Sequence, residues 1–248
     1  MKTLAASAHI DPDALRGKTA VITGAGRGIG KAIATVFAKA GACSVLVVRD
    51  RAVGEQIASE LSKAGYQADF GVADVTEPAQ ISMLVLDLVQ RHPVIDVLVN
   101  NAGIFLDEDR AMRPSQIDPL VLARTLNVNL LGPISMCNAF VPLLRAGGRI
   151  INVSSSMGQL AGESDGYGPA YCMSKVGLNM YTQLLAADVR DRQIMVDAFD
   201  PGWVKTDMGG SGAPIEPENA AKTALFLAAR PLSSQTGLFW RDQQIIPW

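Results

Sequence analysis

Tyr171 and Lys175 stand four residues apart in the helical stretch AYCMSKVGLNMYTQLLAADV. That spacing puts both side chains on one helix face. A tyrosine with an ordinary pKa of about 10 is a poor acid–base catalyst near neutrality. A neighbouring ammonium favours the phenolate, so Lys175 is expected to lower the Tyr171 pKa toward the matched value that general acid–base chemistry wants. Taken alone, the same pair also fits an ordinary solvated helix surface. Other features must decide between the two readings.

The stretch TAVITGAGRGIGKAIATVFAKAGA, residues 19–42, supplies one. A strand ends at Thr23 and a helical pattern runs from Ile29, so the glycines lie at a strand-to-helix turn. Missing side chains let the backbone turn tightly and let a phosphate approach the helix N-terminus. The G-x-G-x-x-G dinucleotide spacing fails, because a Gly24–Gly26 start demands glycine where Ile29 stands. The spacing present is T-G-x-x-x-G-x-G, through Gly24, Gly28 and Gly30, with Gly26 as an extra.

The elements that position these groups alternate along the chain. Thr19–Thr23, Ser44–Val48, Val94–Asn100 and Arg149–Ser154 are short runs rich in Val and Ile without period-two alternation, as expected for strands buried on both faces. Ile29–Ala40, Ala52–Ala64 and Ala79–Arg91 carry apolar residues at helical spacing. Strands alternating with helices predict an α/β, doubly wound parallel sheet of the Rossmann type in one domain, residues 17–248, with residues 1–16 as a surface extension. The chain has 248 residues, 48% of them apolar, enough for a sizeable core. Its 22 basic and 24 acidic residues give no electrostatic footprint for nucleic acid or an anionic membrane. No uninterrupted apolar run reaches the roughly 18 residues that suggest a membrane span. Three cysteines, none in a C-x-x-C pair, argue against a metal site or a disulfide framework and fit a reducing cytoplasm.

Further motifs bring a resemblance into view. Asp74-Val75 in ADV, Asn100-Asn101-Ala102-Gly103, Asn129 in NLLG, Ser155 in NVSSS, Tyr171 and Lys175 in YCMSK, and Pro201-Gly202 with Val204 and Thr206 in PGWVKT follow the glycine loop in order. This chain resembles the short-chain dehydrogenases/reductases, carbonyl-reductase-like members in particular, across residues 18–240. The resemblance implies reversible hydride transfer between a nicotinamide cofactor and a small carbonyl or alcohol. It implies that Tyr171 gives a proton to the carbonyl oxygen, that Ser155 hydrogen-bonds the same oxygen, and that Lys175 binds the nicotinamide ribose while Asn129 links it to solvent. Gly24, Arg27, Gly28, Ile29, Gly30, Asp74, Val75, Asn101, Ala102, Gly103, Pro201, Gly202, Val204 and Thr206 fall at cofactor-contacting positions. The N-x-S-S-x-x-G pattern on Asn152 and Gly158 selects Ser155 over Ser154, and N-x-x-G selects Asn129 over Asn127. Tyr167 is a rival phenol, but residue 171, four on, is not lysine.

The end of the second strand bears on the nucleotide. Enzymes that take NAD carry an acid there for the ribose 2′-hydroxyl. Val48 occupies the position, followed by Arg49, and Arg27 is a second basic group for a 2′-phosphate. The expected cofactor is therefore NADP(H). Asp50 is the competitor, since a shift of one residue would make it a ribose ligand. QLAGESDGYGP before Tyr171 reads as a loop at the substrate mouth, and MGGSGAPIEP as a lid. Met157, Met173 and Trp203 are candidates to line an apolar pocket. Ser135–Arg145 and the Tyr171 helix are the dimer-forming helices of the resemblance, which implies a homodimer or homotetramer. The reading is an NADPH-dependent carbonyl reductase of the cytoplasm; the alternatives are an NAD-dependent alcohol dehydrogenase and a non-catalytic dinucleotide sensor.

Overall fold

A computed structural model describes residues 11–162 and 164–248. The first strands and helices fall where the apolar runs put them: β1 (Thr19–Thr23), α1 (Gly28–Lys39), β2 (Cys43–Val48) and α2 (Arg51–Lys63). Then come β3 (Ala68–Val72), α3 (Pro78–Arg91), β4 (Ile95–Asn100) and the single turn α4 (Asp107–Arg110). One long helical path follows: α5 (Pro119–Leu126), a π-helical turn over Asn127–Leu131, and α6 (Gly132–Phe140). The chain closes with β5 (Leu144–Val153), α7 (Pro169–Asp188), β6 (Met195–Phe199), α8 (Pro217–Ala229), β7 (Phe239–Arg241) and β8 (Gln244–Ile246).

The eight strands form one sheet in the order β3-β2-β1-β4-β5-β6-β7-β8, parallel throughout except for the β7–β8 pair. The chain therefore winds outward from β1 in one direction and from β4 in the other. Alternate residues of each strand feed opposite cores. Ile22, Leu46, Val99, Ile151 and Phe199 join Ile33 and Phe37 of α1 and Leu225 of α8. Val21, Val45, Leu98, Ile150 and Val196 join Leu88 of α3 and Met136 and Phe140 of α6. Both faces are covered, which is why most of these strands read as largely apolar runs.

The strands without such a run lie toward the sheet edges. β3 has only Gly71 buried. In β6, Asp197 interrupts the apolar sequence and is buried against Arg230 at 2.5 Å. Pro119–Leu143 is 25 residues long with an 18-residue stretch of mean hydropathy 1.3, and among the described residues it is the one helix long and apolar enough to cross a membrane. Part of its apolar surface is occupied here: Val121, Met136, Cys137 and Phe140 are buried in the protein, while Leu120 and Leu131 are exposed.

Residues 1–10 of the expected surface extension lie outside the described residues. In the rest of it, Leu15 is fully buried and its N–H donates to Ala40 O at 2.8 Å, so residues 11–16 pack on the turn after α1.

Candidate active site

All the sequence-selected residues gather along the edge formed by the C-terminal ends of the parallel strands, where doubly wound sheets bind ligands. The glycine loop leaves β1 with Gly24 at φ +64° and Gly28 at φ +53°, a backbone region that favours glycine. A Cβ on Gly24 would stand 2.9 Å from Ala102 Cα, and one on Gly30 would stand 2.4 Å from Gly24 O. Asn101 locks the neighbouring segment in place, its Nδ2 donating to Thr23 O at 2.9 Å. The N–H groups of Asn101 and Ala102 both donate to Thr23 Oγ1. Among the described residues, no side chain caps the start of α1 and no acid occupies its first turn. Its leading N–H groups are thus free to receive a phosphate, and the loop fits a dinucleotide.

β2 ends at Val48, and the two residues after it point to different partners. Asp50 is the N-cap of α2, its Oδ1 accepting from Ala52 N at 2.8 Å. Arg49 lies 3.8 Å from Asp74 Oδ2 with its side chain largely in solvent. Arg27 pairs with Asp207 at 2.5 Å, tying the glycine loop to the segment after Thr206. That segment lies close over the loop: a Cβ on Gly28 would stand 3.1 Å from the Thr206 methyl. Gly202 is at φ +74°, and the buried Val204 pairs with Ile215.

On α7, Tyr171 and Lys175 are both buried. Lys175 Nζ donates to Val153 O at 2.9 Å and lies 5.4 Å from the Tyr171 ring centroid. Burial pulls the Lys175 pKa down to about 8, against the pull of the Asp200 carboxylate in the other direction. The expected lowering of the Tyr171 pKa is corrected here. Burial pushes the phenol above its ordinary value, and the Ser155 hydroxyl, a hydrogen-bond partner, offsets only part of this. Desolvation is the largest cause of the rise, and the Lys175 ammonium lies over the ring face instead of at the hydroxyl. Tyr171 is accordingly neutral in this environment.

The two serines separate cleanly. Ser154 turns into the protein and donates to Asn179 Oδ1 of α7 at 2.6 Å, while Ser155 stands at the phenol. Asn129 sits on the π-helical turn, a feature common at functional sites. Its Oδ1 accepts from Ile104 N and its Nδ2 donates to Ile104 O and to Ser174 Oγ of α7. Its amide is thus spent on joining three segments, and Gly103 lies between Asn129 and Lys175. Tyr167 is off the helix, half-exposed, and its hydroxyl accepts from Arg110 at 3.1 Å. Of the pocket candidates, Trp203 is exposed and donates to Gly209 O, Met173 is also exposed, and Met157 faces Gly168.

Four residues at the site escaped the motif reading. Phe105 stacks on Tyr171 with centroids 4.5 Å apart, and Arg110 covers Phe105. Asp109 meets the start of α7, and Asp200 is buried beside Arg241. Their positions in the chain carry no spacing signal; an acid before the PGWVKT segment was the one visible hint.

Residues 18–214 match the short chain dehydrogenase family. The chain belongs to that family. Such an enzyme is an oxidoreductase, and the relatives agree. The 3-oxoacyl-acyl-carrier-protein reductase FabG of Chlamydia trachomatis is 34% identical over 238 residues, covering 89% of this chain and 93% of that one. Carbonyl reductase 1 (NADPH) of Mus musculus is 30% identical, covering 92% and 98%. Among solved structures, a short chain dehydrogenase from Burkholderia cenocepacia in complex with NADP superposes with a TM-score of 0.81 at 28% identity, over 91% of this chain and 96% of that one. A blue fluorescent protein from a metagenomic library, in complex with NADPH, gives 0.81 at 31% identity, over 91% and 96%.

Proposed function

We propose that this short-chain dehydrogenase is an NADP(H)-dependent reductase of ketones or aldehydes. The observation that carries the reading is the neutral, buried phenol of Tyr171 set between Ser155 and Lys175 at the strand-end edge. A neutral phenol is the form that gives up a proton, so the resting site is ready for reduction. When bound, the dinucleotide supplies the hydride. Tyr171 donates its proton to the substrate oxygen, and Ser155 donates a hydrogen bond to the same oxygen, stabilising the charge that develops there. Lys175, charged up to about pH 8, would hold the ribose hydroxyls of the bound dinucleotide and supplies positive charge as the phenolate forms. Asn129 keeps α7 and the Ile104 segment in register for this exchange.

The NADP preference rests on Arg49 and Arg27 near the nucleotide end, and on Asp50 being spent as the cap of α2. Guanidinium groups match a phosphate with paired donors. Mouse carbonyl reductase and the Burkholderia protein carry NADPH or NADP in their own descriptions, which supports the same choice. The exposed Leu120, Leu131, Met180 and Leu184 on α5–α7 supply an apolar face for a second copy of the chain. The test is a panel of ketones and aldehydes assayed by NADPH consumption, with NADH in parallel. Turnover of a carbonyl with NADPH favoured is the expected result; turnover of alcohols with NAD alone defeats the proposal.

A further inference from the structure

The catalytic helix starts without a cap of its own. Its N-cap residue is Gly168, at φ +61° and without a side chain, and its first residue is Pro169, which has no N–H. The N–H groups of Ala170 and Tyr171 open the helix with nothing local to receive them. A carboxylate 61 residues upstream of Ala170 receives both. Asp109 Oδ1 accepts from Ala170 N at 2.9 Å and Oδ2 from Tyr171 N at 2.8 Å. Asp109 is fully buried on α4, the turn that follows the Asn101–Gly103 segment.

The same turn also reaches the phenol ring. Arg110 lies 4.1 Å over Phe105 while donating to Tyr167 Oη and Met208 O. Phe105 in turn stacks on the Tyr171 ring at an interplanar angle of 21°. Tyr171 is thus held at its main-chain nitrogen and across its ring by one stretch of chain. That stretch is continuous with β4 and its cofactor-facing end.

We infer that Asp109 is a positioning residue for the reaction: it pins the first turn of α7 to the segment after β4 and so sets the Tyr171 hydroxyl against the substrate oxygen. The inference rests on the reduction proposed above. Both carboxylate oxygens are taken by main-chain donors, so Asp109 works through the helix and not on the substrate. A negative group at a helix N-terminus is also the favourable sign for the helix dipole. An amide at 109 keeps the shape but turns one acceptor into a donor facing an N–H. The helix start must then shift.

Asp109→Asn is compared with wild type in kcat, KM, the solvent deuterium isotope effect and amide hydrogen exchange over residues 170–173. Protection should fall at those amides alone. The kcat should drop by roughly 10–10²-fold, the scale for a displacement of about an ångström, with KM for NADPH little changed. The isotope effect should rise as proton transfer from Tyr171 becomes limiting. A residue that only stabilises the fold would move melting temperature without moving the isotope effect. Asp109→Glu keeps both acceptors and serves if the amide variant does not fold. Wild-type kcat and isotope effect in folded Asp109→Asn, or unchanged protection at 170 and 171 in that variant, overturns the inference. Where it does not fold, an Asp109→Glu enzyme that is itself unfolded, or that leaves protection at 170 and 171 unrelated to kcat, overturns it too. If wild type turns over no carbonyl, the proposed reduction fails instead, and the exchange pattern at 170 and 171 alone decides whether Asp109 anchors α7.

Discussion

At the β5–α7 end of the active-site edge, Tyr171, Lys175, Ser154 and Asn129 are all buried, and their polar atoms meet named partners. At the β2 end, the side chains of Arg27 and Arg49 are 77% and 76% exposed and touch carboxylates at the surface. The difference follows from what each end must do. Moving a proton needs groups whose affinities are shifted by burial, and burial demands that every polar atom be satisfied. Attracting a phosphate needs only lasting positive charge, which arginine keeps in water at no desolvation cost. The dry end thus holds groups whose proton affinities burial has shifted, and the wet end holds arginines that keep their charge in solvent.

Breaking the dry end should have the largest effect. Tyr171→Phe removes one hydroxyl and preserves the stack on Phe105. Reduction should slow by at least the roughly 10²–10⁴-fold typical of a lost general acid, while NADPH binding and fold survive. A folded variant with most of its rate would show that another group donates the proton.

The two adjacent serines sharpen the comparison inside the dry end. Ser155→Ala should lower kcat by roughly 10²–10³-fold, the scale for one lost donor to a developing oxyanion. Ser154→Ala leaves Asn179 Oδ1 without its donor and should lower the melting temperature more than the rate. The opposite ordering in kcat/KM would reverse the assignment.

At the wet end, Arg49→Ala should raise the KM for NADP by roughly ten- to a hundredfold, since a charge-assisted hydrogen bond contributes about 1.5–3 kcal/mol. The KM for NAD should stay near its wild-type value. Equal loss of both cofactors would mean that Arg49 serves the loop and not the phosphate.

The smallest effect concerns stability. Lys175 titrates near 8 in the folded protein against 10.5 for a free lysine. Between those values the unfolded chain binds the extra proton, so stability should rise as pH climbs from about 8 to 10.5. Below that window the ammonium is carried in both states and its burial cost applies in full. Lys175→Met should therefore unfold at a higher temperature at neutral pH. The gain should be on the order of 1–2 kcal/mol, once the lost bond to Val153 O is set against the relieved burial. Activity should be lost in the same variant. A flat stability profile across this window, read by thermal unfolding, would mean that water reaches Nζ.

Much of the architecture was legible because its causes are local. β1, β2 and β4 are buried on both faces, so each had to be largely apolar, with Ser44 and Asp96 as buried polar exceptions inside β2 and β4. β6 was less legible, because Asp197 divides its apolar residues and is held in the core by Arg230, 33 residues further along the chain, and by the Leu238 N–H. The site divides in the same way. The glycine spacing, the Tyr–Lys interval and the choice of Ser155 are written in short stretches, where one turn or one helix face enforces the geometry. Whether Asp50 meets a ribose or caps α2 depended on which N–H its carboxylate would find, and Ala52 claimed it.

The sequence by itself determined which groups stand together along a single strand, turn or helix, since chain connectivity imposes those distances. Only the tertiary structure decided the sign of the Tyr171 shift, because desolvation depends on everything packed around the phenol, and Phe105 and Ser155 come from other segments. It alone also decided that Asp109 would receive the first N–H groups of α7, because a helix start with no side chain of its own states a need without naming the residue that meets it.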